Sequence, residues 1–181
     1  MSDPDEILVE RHRRGDPAAF RELVERHQRG VHALCFKWLR DPDEADEVTQ
    51  LTFVRVFRRL ESFGGRASFR TWLYRVALNA CRNRVRDEKR RRTEELVDVP
   101  DPRSDALDSL VGGELAKAVE RAVAELPERQ RAVVELRLYR DLPYHEIARI
   151  VGSSAGAAKV NYHYAIRTLR EKLRARGVGR G

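Results

Sequence analysis

The sequence has few cysteines, few aromatic residues and no long apolar run. Its only two cysteines, Cys35 and Cys81, lie far apart in apolar stretches with no patterned histidine nearby. This spacing argues against a disulfide framework or a metal site and predicts two reduced core thiols. No apolar run approaches the roughly 18 residues of a membrane span, and the first residues lack a basic-then-apolar signal pattern. We therefore expect a cytoplasmic protein with no membrane insertion.

The scarcity of aromatic residues also limits the size of any core. Aromatic residues make up 7% of the 181 residues, whereas charged residues make up 36%. Such a chain is better suited to two small compact domains than to one thick sandwich or barrel. No stretch shows sustained apolar–polar alternation, so no sheet is expected. The fold class predicted is all-α, with two small helical domains.

Positive charge is abundant and unevenly distributed. The net charge is +7, which makes a polyanion the default partner. Residues 62–92 hold 10 Lys/Arg against 2 Asp/Glu, and residues 113–181 hold 14 against 8. Between them, residues 93–112 hold 1 Lys/Arg against 6 Asp/Glu. This pattern predicts two DNA-contacting surfaces joined by an acidic flexible linker, with domains over 15–92 and 113–175.

Helix start signals divide the first domain. Asp16-Pro17 and Asp41-Pro42 each combine an N-cap with a proline in the first turn, and predict helices to about Leu39 and Leu60. After the glycine turn at 63–67, Ser68 can cap a third helix. One face of this helix is apolar and the other is polar and basic, with Arg70, Arg75, Asn79, Arg82, Asn83 and Arg86. The tails before residue 15 and after residue 175 are expected to be frayed.

The acidic start of the second helix and the basic third helix each allow two interpretations. Asp43 to Glu47 could be simply a favourable helix N-terminus, or, followed by Gln50 and Arg55, a protein-docking face. The basic helix could be a solvated face. Alternatively, its cations and the aromatic residues around Phe63 could bind unstacked single-stranded bases.

The strongest local signal is a helix-turn-helix at 143–174. A short helix from Tyr144, a turn at Gly152 and a long helix capped by Ser154 make up the unit. Asparagine can pair with adenine, lysine with guanine or phosphate, and a helix N-terminus with phosphate. A plain helical hairpin is the alternative. The candidate DNA-contacting residues are Ser154, Lys159, Asn161, His163 and Arg167.

Four motifs in order resemble bacterial sigma factors of the extracytoplasmic-function group. The run DEADEVTQLTFVRVF from Asp43 is similar to that family's polymerase-binding helix. SFRTWLYRVALN from Ser68 resembles the next helix, which melts and reads the minus-ten promoter element. LPERQRAVVEL from Leu126 and LPYHEIARIVG from Leu142 resemble the C-terminal domain. The recognition helix departs from the family run GTVKSRL, since it reads GAAKVNY from Gly156.

The resemblance implies roles for particular residues. It implies docking on the beta-prime clamp of core RNA polymerase by Asp46, Glu47, Gln50 and Arg55, with the beta flap as a further contact. It implies minus-ten contacts by Phe63, Gly64, Arg66, Asn79, Arg82, Asn83 and Arg86. The helix from Ser154 would read the minus-thirty-five element. A cognate anti-sigma factor is also implied.

The function predicted is a promoter-specificity subunit that needs no catalytic residues, metal or cofactor. The first alternative is a stand-alone helix-turn-helix regulator, which would leave the basic helix and the acidic face unexplained. The second is a nuclease. A nuclease would need clustered carboxylates to hold a metal, but those from Asp43 to Glu47 lie at a helix start without a supporting histidine.

Overall fold

The structure is a computed structural model that describes residues 4–94 and 113–177. These residues fall into two compact units, one in each described range. Across the two ranges there are eight α-helices and one short 3-10 helix, with no strand. The all-α prediction is therefore confirmed.

The first unit is built around one long central helix. Its elements are α1 (Asp5–Arg13), α2 (Pro17–Leu39), α3 (Pro42–Arg59), the 3-10 helix (Leu60–Ser62) and α4 (Phe69–Glu94). Helix α2 contacts α1, α3 and α4. The largest fully buried side chains in this unit are aliphatic with one aromatic: Leu8, Leu23, Leu34, Leu39, Leu60, Phe69, Leu73 and Leu78.

The predicted helix starts are confirmed in atomic detail. The Asp16 carboxylate accepts a hydrogen bond from the backbone N–H of Ala18 at 2.9 Å. Asp41 accepts from Glu44 N–H at 2.9 Å. The Ser68 hydroxyl accepts from Thr71 N–H at 3.2 Å. Each cap satisfies a backbone donor that has no partner within its own helix.

Helix α1 corrects the expectation of a frayed N-terminal tail. Its Leu8 and Val9 are 0% and 2% exposed, and α1 contacts both α2 and α4. Sequence periodicity missed this helix because its apolar residues, Ile7 to Val9, are consecutive and form no stripe at helical spacing.

The predicted linker overlaps the end of α4 and then leaves the described residues. Helix α4 continues to Glu94, so residues 93 and 94 are helical. The Thr93 hydroxyl donates to the carbonyl of Lys89 at 2.9 Å. The rest of the expected linker, residues 95–112, lies outside the described residues.

The second unit contains α5 (Glu114–Ala124), α6 (Glu128–Arg140), α7 (Tyr144–Val151) and α8 (Ala155–Ala175). Helix α8 contacts the other three. One cluster of its core contains Ala122, Val123, Leu126, Val134, Ala165 and Leu169. Between α7 and α8, Gly152 adopts a φ of +71°, which permits the tight turn of the predicted helix-turn-helix.

Both cysteines are buried, as predicted, and their sulfur atoms are not joined in a disulfide. Within residues 4–94 and 113–177, no cluster of three His, Cys, Asp or Glu side chains is placed to hold a metal ion. No helix in those ranges is long and apolar enough to cross a membrane.

Candidate functional site

Helix α3 has two apolar faces, and only one of them is buried. Its buried residues are Ala45, Val48, Thr52, Phe53 and Val56. Leu51, Val54 and Phe57 are 37%, 45% and 52% exposed. The Thr52 hydroxyl donates to the Val48 carbonyl at 2.7 Å, which lets a polar residue take the inner face.

Three of the four residues proposed for polymerase docking lie exposed beside this apolar strip. They are Asp46, Glu47 and Gln50, whereas Arg55 is half-buried. Their spacing of three and four residues puts them on adjoining turns of one helix. We call Asp46, Glu47, Gln50, Leu51 and Val54 the α3 face.

Two side-chain contacts connect the α3 face to neighbouring helices. Asp46 accepts from His32 Nε2 of α2 at 3.1 Å. Glu47 pairs with Arg84 of α4, and this hydrogen bond raises the pKa of the Arg84 guanidinium. The Asp46 and Glu47 side chains are nevertheless 68% and 63% exposed, so both carboxylates remain open to a partner.

The loop between the 3-10 helix and α4 presents three exposed residues. Gly64, Gly65 and Arg66 are exposed, and Gly65 has a φ of +65°. Phe63 is only 8% exposed, and its ring centroid lies 5.1 Å from that of Trp72. The predicted site residue Phe63 therefore anchors the loop in the core and does not offer its ring to solvent.

Two other aromatic residues near the loop are also core residues, whereas Trp72 is half-buried. Phe69 and Tyr74 are 0% and 5% exposed, and the Phe63 and Phe69 rings meet edge to face at 6.1 Å. Phe63, Phe69 and Tyr74 therefore offer no aromatic surface to a base, whereas the half-buried Trp72 remains partly open to solvent. The exposed loop tip is made of glycine backbone and one arginine.

Helix α4 brings four predicted residues onto one face. Asn79, Asn83 and Arg86 are exposed and Arg82 is half-buried, at spacings of three and four along the helix. Asn83 Oδ1 accepts from the Arg86 guanidinium at 2.5 Å. Helix α4 begins at Phe69, so Asn79 lies about 15 Å along the helix axis from the loop end of α4.

The outer face of α8 carries cations interleaved with apolar side chains. Ser154 caps the helix by accepting from Ala157 N–H at 3.1 Å. Lys159, His163 and Arg167 are exposed at intervals of four residues. Val160 and Tyr164 lie beside them, 53% and 47% exposed. We call Lys159, Val160, His163, Tyr164 and Arg167 the α8 face.

Two features of α8 were not foreseen. The Asn161 side chain is half-buried, and its amide donates to the Ala157 carbonyl of its own helix at 2.9 Å. Tyr164 lies under the Arg167 guanidinium, 5.4 Å from ring centroid to carbon. The exposure of Val160 and Tyr164 could have been predicted from the sequence, because both lie on the opposite side of the helix from the buried Ala158, Ala165 and Leu169.

These features define a class of protein. One unit is a helix-turn-helix whose second helix presents cations, and the other combines a basic helix with an acidic and apolar helix face. The chain is therefore a helical DNA-binding protein with an additional surface suited to a protein partner.

Sequence comparisons identify the family. Residues 23–91 match the family described as Sigma-70 region 2, and residues 122–171 match Sigma-70, region 4. The chain is 34% identical over 166 residues to the ECF RNA polymerase sigma-E factor of Escherichia coli K12, covering 86% of each chain. It is 29% identical over 173 residues to the ECF RNA polymerase sigma factor SigW of Bacillus subtilis, covering 90% of this chain and 92% of that one.

Solved structures have the same fold. CnrH, in complex with the cytosolic domain of CnrY, matches with a TM-score of 0.73 and 25% identity, covering 96% of this chain and 99% of that one. The sigma factor RpoE of Bartonella quintana, in complex with the anti-sigma factor NepR, matches with a TM-score of 0.72 and 18% identity, covering 86% and 96%.

The chain belongs to the ECF RNA polymerase sigma factors. It is a sigma subunit for promoter-specific transcription initiation and not a stand-alone regulator, as the sequence motifs predicted.

Proposed function

We propose that the α3 face docks on the beta-prime clamp of core RNA polymerase. The observation on which this rests is the exposure of Leu51 and Val54 next to the carboxylates of Asp46 and Glu47. Apolar side chains bordered by charge are typical of a protein interface, where the apolar part supplies affinity and the charges supply orientation. The beta flap would contact the second unit.

The loop tip and the α4 face would take the minus-ten element. Gly64 and Gly65 allow close approach of a nucleotide to the backbone, and Arg66 supplies a cation at the tip. Asn79, Arg82, Asn83 and Arg86 then follow the non-template strand or the duplex just upstream. Opening would come from capture of unstacked bases, since binding an extruded base offsets the cost of unstacking it.

The α8 face would lie in the major groove of the minus-thirty-five element. Lys159 and Arg167 supply contacts to phosphate or guanine, and Ser154 places the helix N-terminus near a phosphate. The exposed Val160 and Tyr164 suit the methyl groups of thymine. Asn161 can reach a base only if it releases the Ala157 carbonyl, so we assign base reading first to its exposed neighbours.

An anti-sigma factor is a further proposed partner. In the matched structures, RpoE is bound to the anti-sigma factor NepR and CnrH to the cytosolic domain of CnrY, which supports a complex with a regulatory partner here. The proposed activity consists of binding and strand capture in the bacterial cytoplasm, and it uses no catalytic residue or cofactor.

Run-off transcription with purified bacterial core polymerase and a genomic promoter pool tests this function. We expect discrete new start sites that depend on the protein. Changing Glu47 and Gln50 to alanine should abolish them, whereas changing Arg21 and Glu25, which are exposed on α2, should not. Absence of new start sites with the unaltered protein, together with tight duplex binding without polymerase, would overturn the proposal.

A further inference from the structure

The proposed minus-ten loop has few hydrogen bonds within itself. Phe63 N–H donates to the Leu60 carbonyl at 3.2 Å, and the Ser62 hydroxyl donates to the Arg59 carbonyl at 2.8 Å. Both bonds lie before the tip, which is largely glycine. A glycine-rich segment loses much conformational entropy when it is ordered, so its shape must be imposed from outside.

Arg13, the last residue of α1, holds the first end of the loop. Its guanidinium donates to the carbonyls of Leu60 and Glu61 at 3.2 Å each, and to the carbonyl of Phe63. All three bonds come from Arg13 Nη2. The carbonyls of Glu61 and Phe63 lie where the helical hydrogen-bond pattern ends, and the Leu60 carbonyl can accept a second bond beside the one from Phe63 N–H. The tie spans about fifty residues of chain, so it is tertiary and not local.

Glu6, on the same helix, holds the second end. Its Oε1 accepts from the backbone N–H of Phe69 at 3.3 Å, where α4 begins. A carboxylate at a helix N-terminus satisfies an unpaired donor and interacts favourably with the helix dipole. Glu6 and Arg13 are seven residues apart, about two turns or 10 Å along α1.

Helix α1 is itself fixed to α2. Leu8 and Val9 are buried, and Asp5 accepts from Arg26 at 2.7 Å and from His27 Nε2 at 2.8 Å. The two ends of the loop are therefore held by a helix that is anchored independently of the loop.

We infer that α1 positions the minus-ten loop, with Arg13 and Glu6 as positioning residues that set how well the loop discriminates between bases. The inference rests on the proposed function of the loop. A loop held in its binding shape loses less entropy when it captures a base, and it rejects a wrong base because it cannot adapt to it. Releasing one end of the loop should therefore raise the entropy lost on capturing a base and let the loop adapt to a wrong base.

The test compares holoenzymes on two promoters that differ in one non-template base of the minus-ten element. The quantity measured is the ratio of the rates of open-complex formation on these promoters. We expect Arg13→Ala to reduce this ratio by up to about tenfold, with unchanged affinity for core polymerase. Arg13→Lys should restore part of the ratio, because its ammonium group can reach some of the carbonyls. Glu6→Ala should act in the same direction with a smaller effect.

Arg14→Ala is the matched control. Arg14 is the neighbour of Arg13, but its side chain is 77% exposed and pairs with Glu10. Its replacement should leave the ratio unchanged. If Arg13→Ala lowers open-complex formation equally on both promoters, the residue is merely structural and the inference is overturned.

Arg66→Ala separates the inference from the function on which it rests. Arg66 is at the loop tip and makes the proposed contact directly. If Arg66→Ala changes the ratio and Arg13→Ala does not, the positioning role is wrong and the loop assignment survives. If neither changes it, the assignment of the loop to minus-ten reading is itself wrong.

Discussion

Each unit of the molecule exposes apolar side chains on one helix, but the charges near those side chains differ. On α3, Leu51 and Val54 follow an acidic first half with Asp46 and Glu47. On α8, Val160 and Tyr164 lie among Lys159, His163 and Arg167. Exposed apolar area indicates that a helix binds something, and the sign of the nearby charge indicates what it binds. Carboxylates disfavour a phosphate backbone and are compatible with a protein, whereas cations favour DNA.

The two units also differ in how their helices are tied together. In the first unit, Asp5, Glu6 and Arg13 of α1 make partly buried polar contacts to residues distant in sequence. In the second, the long-range ion pairs at Glu125 with Lys172 and Arg176 lie at the surface. Water and salt therefore screen these long-range polar contacts of the second unit more than those of the first.

The largest expected effect comes from truncating each core separately. Phe69 and Leu136 are both 0% exposed, one in each unit. Phe69→Ala should lower the free energy of unfolding by about 3–5 kcal/mol, and Leu136→Ala by about 2–5 kcal/mol. Since each core is formed within its own unit, hydrogen exchange should accelerate only in the unit that carries the substitution. Faster exchange in both units would show that their stabilities are coupled.

The next largest effect tests whether the exposed faces of α3 and α8 bind different partners. Leu51→Asp with Val54→Asp should weaken binding to core polymerase by about 100-fold, because two carboxylates would be buried in the apolar interface. Val160→Asp should leave that affinity unchanged and weaken binding of the holoenzyme to minus-thirty-five duplex. Fluorescence anisotropy with labelled polymerase and labelled DNA measures both. Loss of polymerase binding in Val160→Asp would contradict the division of roles.

A smaller effect distinguishes the partly buried polar contacts of Asp5 from the ion pairs at the surface. Burial raises the pKa of the Asp5 carboxyl, but the hydrogen bond and charge of His27, and then Arg26, lower it further, to below its ordinary value of 3.8. The stabilisation by Asp5 is therefore present above the ordinary pKa and is lost as pH falls through the lowered one. Asp5→Ala should lower the free energy of unfolding by about 1.5–3 kcal/mol at neutral pH. In strong acid the variant and the unaltered protein should be equally stable.

Glu125→Ala is the surface counterpart. The hydrogen bond from Lys172 is the main cause that lowers the pKa of the Glu125 carboxyl, with Arg176 adding to it. Its side chain is 43% exposed, so water and salt screen the pair. Chemical denaturation at several pH values should show a smaller loss in the free energy of unfolding than for Asp5→Ala. Added salt should reduce this loss further. An equal loss for the two variants would contradict the difference between the units.

The smallest expected effect concerns single cations on the α8 face. Lys159→Ala should reduce the salt dependence of DNA binding by the holoenzyme by about one unit of log–log slope, because one phosphate contact is lost. Gln50→Ala on the α3 face should weaken polymerase binding without changing that slope. Titrations of DNA binding at several salt concentrations measure this slope. An unchanged slope for Lys159→Ala would show that Lys159 does not contact a phosphate.

Local sequence signals predicted much of the helical layout. The caps at Asp16, Asp41, Ser68 and Ser154 use hydrogen bonds within two or three residues, so a short stretch of sequence contains all the atoms involved. The turn at Gly152 is equally local. The same holds for the charged residues Lys159 and Arg167 of α8, whose exposure follows from their position opposite an apolar stripe.

Other features depend on packing between distant residues. Leu51 and Phe53 are similar in apolarity and two residues apart, yet one is 37% exposed and the other 8%. Periodicity cannot choose between two apolar faces of one helix, because the choice is made by the helices that pack against it. Phe63 shows the converse, since a loop position suggested exposure and the ring packs in the core beside Trp72.

By itself, the sequence determined where most helices begin, that two basic segments flank an acidic one, and which family the chain resembles. Only the tertiary structure decided that Asp5–Arg13 is a helix, that Leu51 and Val54 face solvent, and that Arg13 and Glu6 reach the two ends of the loop. The physical reason is how far apart in sequence the interacting residues lie. Caps, turns and charge runs are set by neighbours along the chain, whereas burial and long-range hydrogen bonds exist only after helices from different parts of the sequence have packed together.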